Sequence, residues 1–311
     1  MKKKNKLTLA LGGGGARGLA HIGVLKVLER EKIPIDLIVG TSMGAIIGGM
    51  YSQLRDARTI ETRALSYIDN FVQNRRWVQL FKAQRNDGKP SLLEEISSYV
   101  QQKYIGFKAL TQISLEPKDT LYKPLTNLLV DKNIEESRIP FAAISVDLIS
   151  GDTKIFSRGP IIDAVYASSA IEGIFPPLEL DGCYLADGGP VSITPVEIAL
   201  QMRNQRVVAV DVYQEVQQVS TFANGLEVML RADSLGLNRL RQIDLAQADY
   251  VIAPDLEDVG WADFDRARDC IKLGELAAEV ALPAISRLLT KGGMFDQIKA
   301  GARFLFKDFA Y

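Results

Sequence analysis

The sequence predicts an α/β fold, with a mostly parallel sheet and helices on its faces. The chain opens with an alternation of strand, helix, strand and helix, and a similar alternation returns in its second half. This order is typical of parallel sheets, because each helix carries the chain back to the edge where the next parallel strand begins. With 311 residues, of which 47% are hydrophobic, the chain can bury a substantial core.

The first four elements are separated by two glycine-containing turns. The apolar run Leu7 to Leu11 predicts a buried strand, and Gly18 to Lys32 predicts a helix because its apolar residues recur near the helical period. Ile33 to Gly40 predicts a second buried strand, and a helical stretch follows from Ala45 to Leu54. In the second half we predict strands at 139–148, 153–159, 206–212 and 248–254, and helices at 160–170, 226 to about 247, and 264–291.

The region between these halves, from about Arg55 to Arg138, predicts a helical insertion with a turn at Asn86 to Pro90. An aromatic cluster inside it, flanked by basic residues, has two interpretations: a lipid-facing surface, or a helical cap that packs the aromatics inward. The periodicity favours the packed cap. No repeat or linker divides the chain, so residues 1–311 are predicted to form a single domain with a cap at about 55–138. The cluster comprises Phe71, Val72, Trp77, Val78 and Phe81, with Arg75, Arg76, Lys82 and Arg85.

Charge and cysteine content restrict the classes of function. The net charge of −1 gives no field that would attract nucleic acid, so no nucleic-acid partner is expected. Cys183 and Cys270 show no metal or redox spacing and fit a reducing compartment. The apolar run Leu7 to Leu11 is too short for a secretory leader, and no run approaches the roughly 20 apolar residues of a membrane span. We therefore expect a cytoplasmic protein, and its oligomeric state is left open.

The glycine-rich loop after the first strand has two interpretations. Gly13, Gly15 and Gly18 satisfy G-x-G-x-x-G between a strand and a helix, where a dinucleotide phosphate would bind. That interpretation, a nucleotide-binding oxidoreductase, also requires an acidic residue at the end of the second strand, whereas Asp36 lies at its start. The alternative is an oxyanion-binding loop, because glycines let bare backbone amides approach a developing negative charge.

The turn after the second strand supports the oxyanion interpretation. Gly40, Ser42 and Gly44 form G-x-S-x-G between an apolar strand and a helix, the setting of a nucleophile elbow. Glycine two residues before and after the serine relieves the crowding of such a turn. If the first two strands are neighbours, both loops open at the same edge of the sheet and form one site. Ser42 is therefore the predicted nucleophile.

The general base is less clear from the residues alone. The single histidine, His21, precedes Ser42 and lies in the first helix, so an ordinary Ser-His-Asp triad is ruled out and a packed or loop-supporting imidazole is favoured. Asp187 stands before two glycines at the end of an apolar run, a position that can deliver a carboxylate into a cleft. On residue type and position alone it is only slightly favoured over Asp147, Asp181 or Asp211, and an Asp-Gly hairpin turn is the alternative.

Four stretches together resemble the patatin-like phospholipase family, specifically its compact bacterial members. They are GGGGARGLAHIGVLKVLE, GTSMGAIIGG, YASSAIEGIFPPLELDGCYLADGG and the helix containing GELAA. The resemblance spans most of the chain, and within the insertion it extends only to the character of the sequence. One departure is Glu172, where the family pattern has proline, and it adds a negative charge to a loop expected to line the cleft.

The resemblance implies a three-layer α/β/α sandwich and a catalytic Ser-Asp dyad formed by Ser42 and Asp187. It also implies an oxyanion hole built from the amides of Gly13, Gly14, Gly15 and Ala16, with Arg17 steadying the loop or a substrate phosphate. The family needs no metal or cofactor, and the sequence contains no obvious ligand cluster.

We therefore predict a serine acyl hydrolase that cleaves carboxylic esters of phospholipids or related lipids through an acyl-enzyme intermediate, with peripheral membrane contact as a further expectation. The alternative is a lipid-binding or regulatory protein of the same fold with little turnover.

Overall fold

The computed structural model describes residues 6–69, 111–203, 206–213, 218, 221–222 and 224–290. The aromatic cluster predicted between Phe71 and Arg85, and the turn at 86–90, lie outside these residues. The strands are β1 (Leu7–Leu11), β2 (Ile35–Thr41), β3 (Phe141–Asp147), β4 (Thr153–Phe156), β5 (Leu178–Leu180), β6 (Cys183–Asp187), β7 (Arg206–Val210) and β8 (Tyr250–Ile252). The helices are α1 (Ala20–Arg30), α2 (Met43–Leu54), α3 (Ala57–Tyr67), α4 (Asp119–Leu128), α5 (Ile161–Ser169), α6 (Gly189–Ser192), α7 (Val196–Met202), α8 (Gly225–Leu245) and α9 (Ala267–Thr290).

The strands form one mixed, mostly parallel sheet of order β5-β6-β3-β2-β1-β7-β8, with β4 paired to β3 outside this path. Strands β3, β2, β1, β7 and β8 pair in parallel, whereas β4, β5 and β6 pair antiparallel. The sheet therefore has the predicted parallel centre and an antiparallel side. Because β1 and β2 are parallel neighbours, the loops after both strands open at the same edge.

Helices cover both faces of this sheet. Side chains of β1 alternate between the faces: Leu7, Leu9 and Leu11 join the large core that contains α1, α2, α5 and α9, whereas Ala10 joins a smaller core with α7. Burial on both faces explains why all five residues of β1 are inaccessible to solvent. The three-layer arrangement implied by the sequence resemblance is confirmed.

The described parts of the insertion are helical and pack on the large core. Helix α3 begins at Asp56, whose carboxylate accepts hydrogen bonds from the amides of Arg58 and Thr59, as a helix N-cap should. Ala64 on α3 and Leu125 and Leu128 on α4 are buried. These two helices therefore pack on the core, whereas the aromatic cluster on which the two interpretations of the insertion differ lies outside the described residues.

Two features between 178 and 203 differ from the sequence prediction. The stretch 178–187, to which the sequence assigned no element, is a hairpin, β5 and β6, whose turn contains Asp181 and Gly182 at positive φ of 50° and 79°. The short helices α6 and α7 were not predicted, although Pro190 in the first turn of α6 and Pro195 just before α7 are typical helix-starting residues.

Candidate active site

Ser42 occupies a sharp turn between β2 and α2. Its φ of 55° and ψ of −123° are strained for a residue with a side chain. A Cβ at Gly40 would lie 2.5 Å from the Gly44 carbonyl oxygen, and one at Gly44 would lie 2.1 Å from that of Leu11. Only glycine fits either position, so the steric reason given for the G-x-S-x-G pattern holds in the fold.

Asp187 ends β6 and meets Ser42 across the sheet. Thr41 pairs with Ile144, and the next residue of β3, Ser145, pairs with Asp187, so the register brings the two ends together. The Ser42 side chain lies beside the Asp187 carboxylate. Burial raises the pKa of Asp187 to about 6, while the Ser42 side chain and the Gly189 amide, which donates to Oδ1 at 2.8 Å, oppose that rise.

The other candidate bases are engaged elsewhere. Asp147 accepts hydrogen bonds from the amides of Tyr184, at 3.0 Å, and Ile149, at 3.2 Å, which hold its pKa below the usual range. Asp181 forms the hairpin turn, and Asp211 pairs with Arg241. Of the four aspartates, Asp187 is the one whose pKa the Ser42 side chain lowers within the part of the chain that the structure describes. The tertiary contact thus separates candidates that the sequence left nearly equal.

The end of α5 braces both residues. The Ser42 amide donates to the carbonyl oxygen of Ser168, at 3.0 Å, and to its hydroxyl, at 3.1 Å. The hydroxyl of Ser169 donates to the Ser42 carbonyl oxygen at 3.2 Å, and the amide of Asp187 donates to that of Ala170 at 3.1 Å. Both serines belong to the stretch YASSA, and no local sequence pattern indicates this bracing role.

The glycine loop lies beside Ser42, and only part of it has amides to offer. A Cβ at Gly13 would be 3.1 Å from the Cβ of Ser42. The Gly13 amide donates to the Ile193 carbonyl oxygen at 2.8 Å, and the Ala16 amide donates to that of Trp261 at 2.7 Å. Because these two N–H groups already have acceptors, they are not available to an oxyanion. Of the four amides expected to form the oxyanion hole, those of Gly14 and Gly15 have no acceptor among the described residues.

His21 contacts the start of the glycine loop. It is fully buried, and its Nε2 donates to the Gly12 carbonyl oxygen at 2.7 Å. Burial lowers its pKa to about 4, so the imidazole is neutral at physiological pH. Its Nδ1 has no hydrogen-bond partner among the described residues. The loop-supporting role expected for His21 therefore matches its place in the fold.

Arg17 is buried rather than exposed. It is 6% accessible, and its Nε donates to the Gly14 carbonyl oxygen at 3.4 Å. Of the two roles that the resemblance implied, this contact fits the steadying of the loop.

An apolar cavity runs from Ser42 between the core and the insertion. One face of α2 lines it with residues at helical spacing, and α3 and α4 form the opposite wall. Ser169, Gly15 and Trp261 border it near Ser42. The α2 residues are Met43, Ile46, Ile47 and Met50; those from α3 and α4 include Ala64, Tyr67, Leu121, Pro124, Leu125 and Leu128.

A family model described as patatin-like phospholipase matches residues 9–200, more than half of the chain and all of the site just described except Trp261. The chain belongs to the patatin-like phospholipase family.

Individual relatives match this chain over less than half of their own length. The chain is 32% identical over 302 residues to the patatin-like phospholipase domain-containing protein 6 of Mus musculus, covering 94% of this chain and 20% of that protein. It is 31% identical over 194 residues to an uncharacterized NTE family protein of Mycobacterium bovis, covering 61% of this chain and 45% of that protein. The chain thus spans about a fifth or less of the first mammalian relatives it matches.

Among solved structures, VipD from Legionella pneumophila overlaps 91% of this chain with a TM-score of 0.42 and 13% sequence identity, over 67% of its own length. This likeness is too distant to add to the family assignment. Membership of the patatin-like phospholipase family is consistent with lipid ester hydrolysis.

The departure from the patatin-like pattern, Glu172, lies at the rim of this site. It follows the bracing residues of α5, and the amide of Leu115 donates to the carbonyl oxygen of its neighbour Gly173 at 2.9 Å. The side chain still reaches solvent, yet the surrounding protein and the charge of Asp187 raise its pKa to about 7. A second carboxyl group, that of Glu172, therefore lies near enough to Asp187 for the charge of Asp187 to raise its pKa.

Two further findings concern ligands and membranes. Within the described residues, no group of three or more His, Cys, Asp or Glu side chains is arranged to hold a metal ion. None of the helices in the same residues combines the length and apolarity needed to cross a bilayer.

At the start of β2, Asp36 forms ion pairs with Lys6 and Arg203, at the end of the strand opposite Ser42. A ribose-binding role for Asp36 is excluded by this position.

Proposed function

We propose that this patatin-like protein is a serine acyl hydrolase that cleaves carboxylic esters of phospholipids or related lipids with Ser42 and Asp187 as a catalytic dyad. The observation that carries the proposal is the placement of the Ser42 side chain beside the buried Asp187 carboxylate by the register of β2, β3 and β6. A serine hydroxyl becomes an effective nucleophile when an adjacent base takes its proton. Burial supports the assignment, because a pKa of about 6 makes Asp187 a stronger base than an exposed aspartate.

In the first half of the reaction, Asp187 accepts the hydroxyl proton as Ser42 Oγ bonds to the ester carbonyl carbon. The carbonyl oxygen becomes an oxyanion. When the tetrahedral intermediate collapses, the carbon–oxygen bond to the alcohol breaks, and Asp187 gives its proton to the departing oxygen. Water then attacks the acyl-Ser42 ester, Asp187 takes a proton from that water, and the proton returns to Ser42 as the fatty acid leaves.

The oxyanion is assigned to the amides of Gly14 and Gly15. They lack acceptors among the described residues and belong to the loop whose Gly13 packs on Ser42. Removing one such donor costs about 3 kcal/mol of transition-state stabilisation in a well-studied serine protease. Arg17 is assigned to positioning this loop, because its Nε donates to the Gly14 carbonyl oxygen.

The acyl chain is assigned to the cavity along α2. Its lining is almost entirely apolar, as a hydrocarbon chain requires, and it begins at Ser42. We also assign residues 1–311 to one acyl hydrolase domain with its cap at about 55–138. A cytoplasmic setting with peripheral membrane contact belongs to the same proposal, and the two free thiols, Cys183 and Cys270, fit a reducing compartment.

The decisive experiment is labelling by a fluorophosphonate probe, followed by intact mass. Wild type should form one adduct, Ser42→Ala none, and Asp187→Asn should react at least about a hundredfold more slowly, as for the loss of a general base. Asp147→Asn is the matched control, because Asp147 also ends a strand and is hydrogen-bonded but does not contact Ser42. An ester screen over phospholipids and lysophospholipids follows. Lipid binding by a folded but unlabelled wild type would instead favour the non-catalytic alternative.

A further inference from the structure

A buried polar cluster lies behind the glycine loop. The segment that follows β7, from Asp211 to Tyr213, packs directly on the loop: a Cβ at Gly14 would lie 2.9 Å from the Cγ2 of Val212 and 3.0 Å from its carbonyl oxygen. Any displacement of this segment therefore moves the surface on which Gly14 rests. The catalytic steps assigned above do not use its side chains.

Arg241, on α8, holds this segment. Its Nε donates to both carboxylate oxygens of Asp211, at 3.2 and 3.1 Å, and its Nη2 lies 3.1 Å from Oδ2. Asp211 is 5% accessible and Arg241 is 6% accessible. Burial raises the pKa of Asp211, and the charge of Arg241 opposes that rise. A planar guanidinium suits this two-oxygen contact better than an ammonium would.

Tyr213 links Arg241 to Arg17. The guanidinium carbon of Arg241 lies 5.4 Å from the centre of the Tyr213 ring, and that of Arg17 lies 5.6 Å from the same centre. Both distances are within the range of cation–π attraction. Because Arg17 also donates to the Gly14 carbonyl oxygen at 3.4 Å, the chain of contacts runs from α8 to the loop.

A second connection passes through Asp211. The hydroxyl of Thr194 donates to Asp211 Oδ1 at 3.3 Å, and a Cβ at Gly12 would lie only 2.7 Å from that hydroxyl oxygen. The preceding residue, Ile193, accepts the Gly13 amide at 2.8 Å. The cluster therefore supports the glycine loop at three successive residues, Gly12, Gly13 and Gly14.

We propose that Arg241 is a positioning residue for the oxyanion-binding loop, acting through Tyr213 and Asp211. The inference rests on the proposed function, since it assigns a task to a loop whose amides stabilise the transition state. Arg241 touches no reacting atom. Its loss should therefore lower kcat and leave KM almost unchanged, because misplaced amides weaken binding of the oxyanion more than binding of the neutral ester.

The test compares four variants of the full chain, measuring kcat and KM on a p-nitrophenyl ester, the rate of fluorophosphonate labelling, and the melting temperature. Arg241→Lys keeps the charge beside Asp211 but loses the planar fork. Tyr213→Leu removes the ring between the arginines, and Tyr213→Phe keeps it. Arg206→Lys is the control: Arg206 starts the same strand, β7, and pairs with Asp249 at 3.2 Å, far from the glycine loop.

We expect Arg241→Lys and Tyr213→Leu each to lower kcat about tenfold, which corresponds to about 1.4 kcal/mol, with labelling slowed in parallel and KM within about twofold of the wild-type value. Tyr213→Phe should recover most of the rate lost in Tyr213→Leu. If Arg241→Lys fails to fold, the comparison of Tyr213→Leu with Tyr213→Phe tests the proposal by itself.

Two results would overturn the inference while leaving the proposed function intact. In one, wild type is active and Arg241→Lys and Tyr213→Leu match Arg206→Lys. In the other, the losses fall on KM alone, as expected for a cluster that contacts substrate. A wild type that neither reacts with the probe nor cleaves esters would instead reject the proposed function itself, and this inference with it.

Discussion

The Ser42 side chain lies beside the Asp187 carboxylate because both residues lie next to the same part of β3. Ser42 follows Thr41, which pairs with Ile144, and Asp187 pairs with the next residue, Ser145. One parallel and one antiparallel pairing thus bring together two residues that are far apart in the chain. The end of α5 then fixes both through backbone hydrogen bonds. The proposed catalytic pair is held by the regular part of the fold, which is how a preorganised site is expected to be built.

The first prediction concerns the pH dependence of hydrolysis. Asp187 can accept a proton only as a carboxylate, and burial raises its pKa to about 6, so kcat/KM should rise with pH through about 6. Measuring kcat/KM on an uncharged ester from pH 4.5 to about 8.5 tests this. Glu172→Gln should keep the rise, because burial and not Glu172 raises the pKa of Asp187. A rise centred near pH 4 would contradict the raised pKa.

The second prediction concerns stability. Because the pKa of Asp187 is raised from 3.8 in the unfolded chain to about 6 in the fold, the native state binds this proton more tightly than the unfolded state. The resulting penalty is absent below about pH 4, grows as pH rises, and is complete above about pH 6. Asp187→Asn should therefore raise the free energy of unfolding at pH 8, by up to about 3 kcal/mol, and raise it less at pH 5.

Urea denaturation at the two pH values provides the measurement, and Asp147→Asn provides a control of opposite sign. The pKa of Asp147 is held below its usual range, mainly by the Tyr184 amide, so its ionised form stabilises the fold. Its substitution should lower stability at pH 8. Equal losses of stability in the two variants would show that Asp187 is not destabilising in its charged form.

The third prediction concerns backbone strain at Ser42. A residue with a side chain is strained at φ 55°, ψ −123°, and glycine relieves such strain. Ser42→Gly should be more stable than Ser42→Ala by about 1 kcal/mol, although glycine is also more flexible in the unfolded chain. Both variants should be unreactive toward the probe. Comparing their urea midpoints isolates the strain, and a less stable Ser42→Gly would argue against it.

The fourth prediction concerns acyl-chain length. Met50 lies two helical turns beyond Ser42 along α2, about 12 Å at 1.5 Å per residue. An extended alkyl chain, which advances about 1.25 Å per carbon, reaches that depth with about ten carbons. We expect kcat/KM on a series of p-nitrophenyl esters to stop rising near that length. Met50→Ala should move the limit to longer chains, whereas Met50→Leu, which keeps the volume, should not. If the chain length at which kcat/KM stops rising were the same in Met50→Ala as in wild type, the assignment of the acyl chain to this cavity would be wrong.

Several elements of the fold and site follow from the sequence because their causes are local. The strands β1 and β2 are continuous apolar runs, and helix α1 shows its helical period. The steric demands of the turn at Ser42 leave glycine as the only residue that fits at Gly40 and Gly44. Even the helices α6 and α7, which were not predicted, begin beside prolines that signal a helix start.

What tertiary structure decided was the choice among chemically equal groups. Asp147, Asp187 and Asp211 each end or follow a strand, and no local pattern states which strand pairs beside Ser42. The division of the glycine loop into engaged and available amides depends on Ile193 and Trp261, which come from distant segments. Local periodicity and the sterics of a turn depend on residues close together in the chain. Burial, strand register and hydrogen-bond partners depend on how the strands assemble. The sequence by itself therefore determined the α/β layering and the glycine-flanked turn at Ser42. The assembled sheet determined which carboxylate lies beside Ser42, the raised pKa of Asp187, and the polar cluster behind the glycine loop.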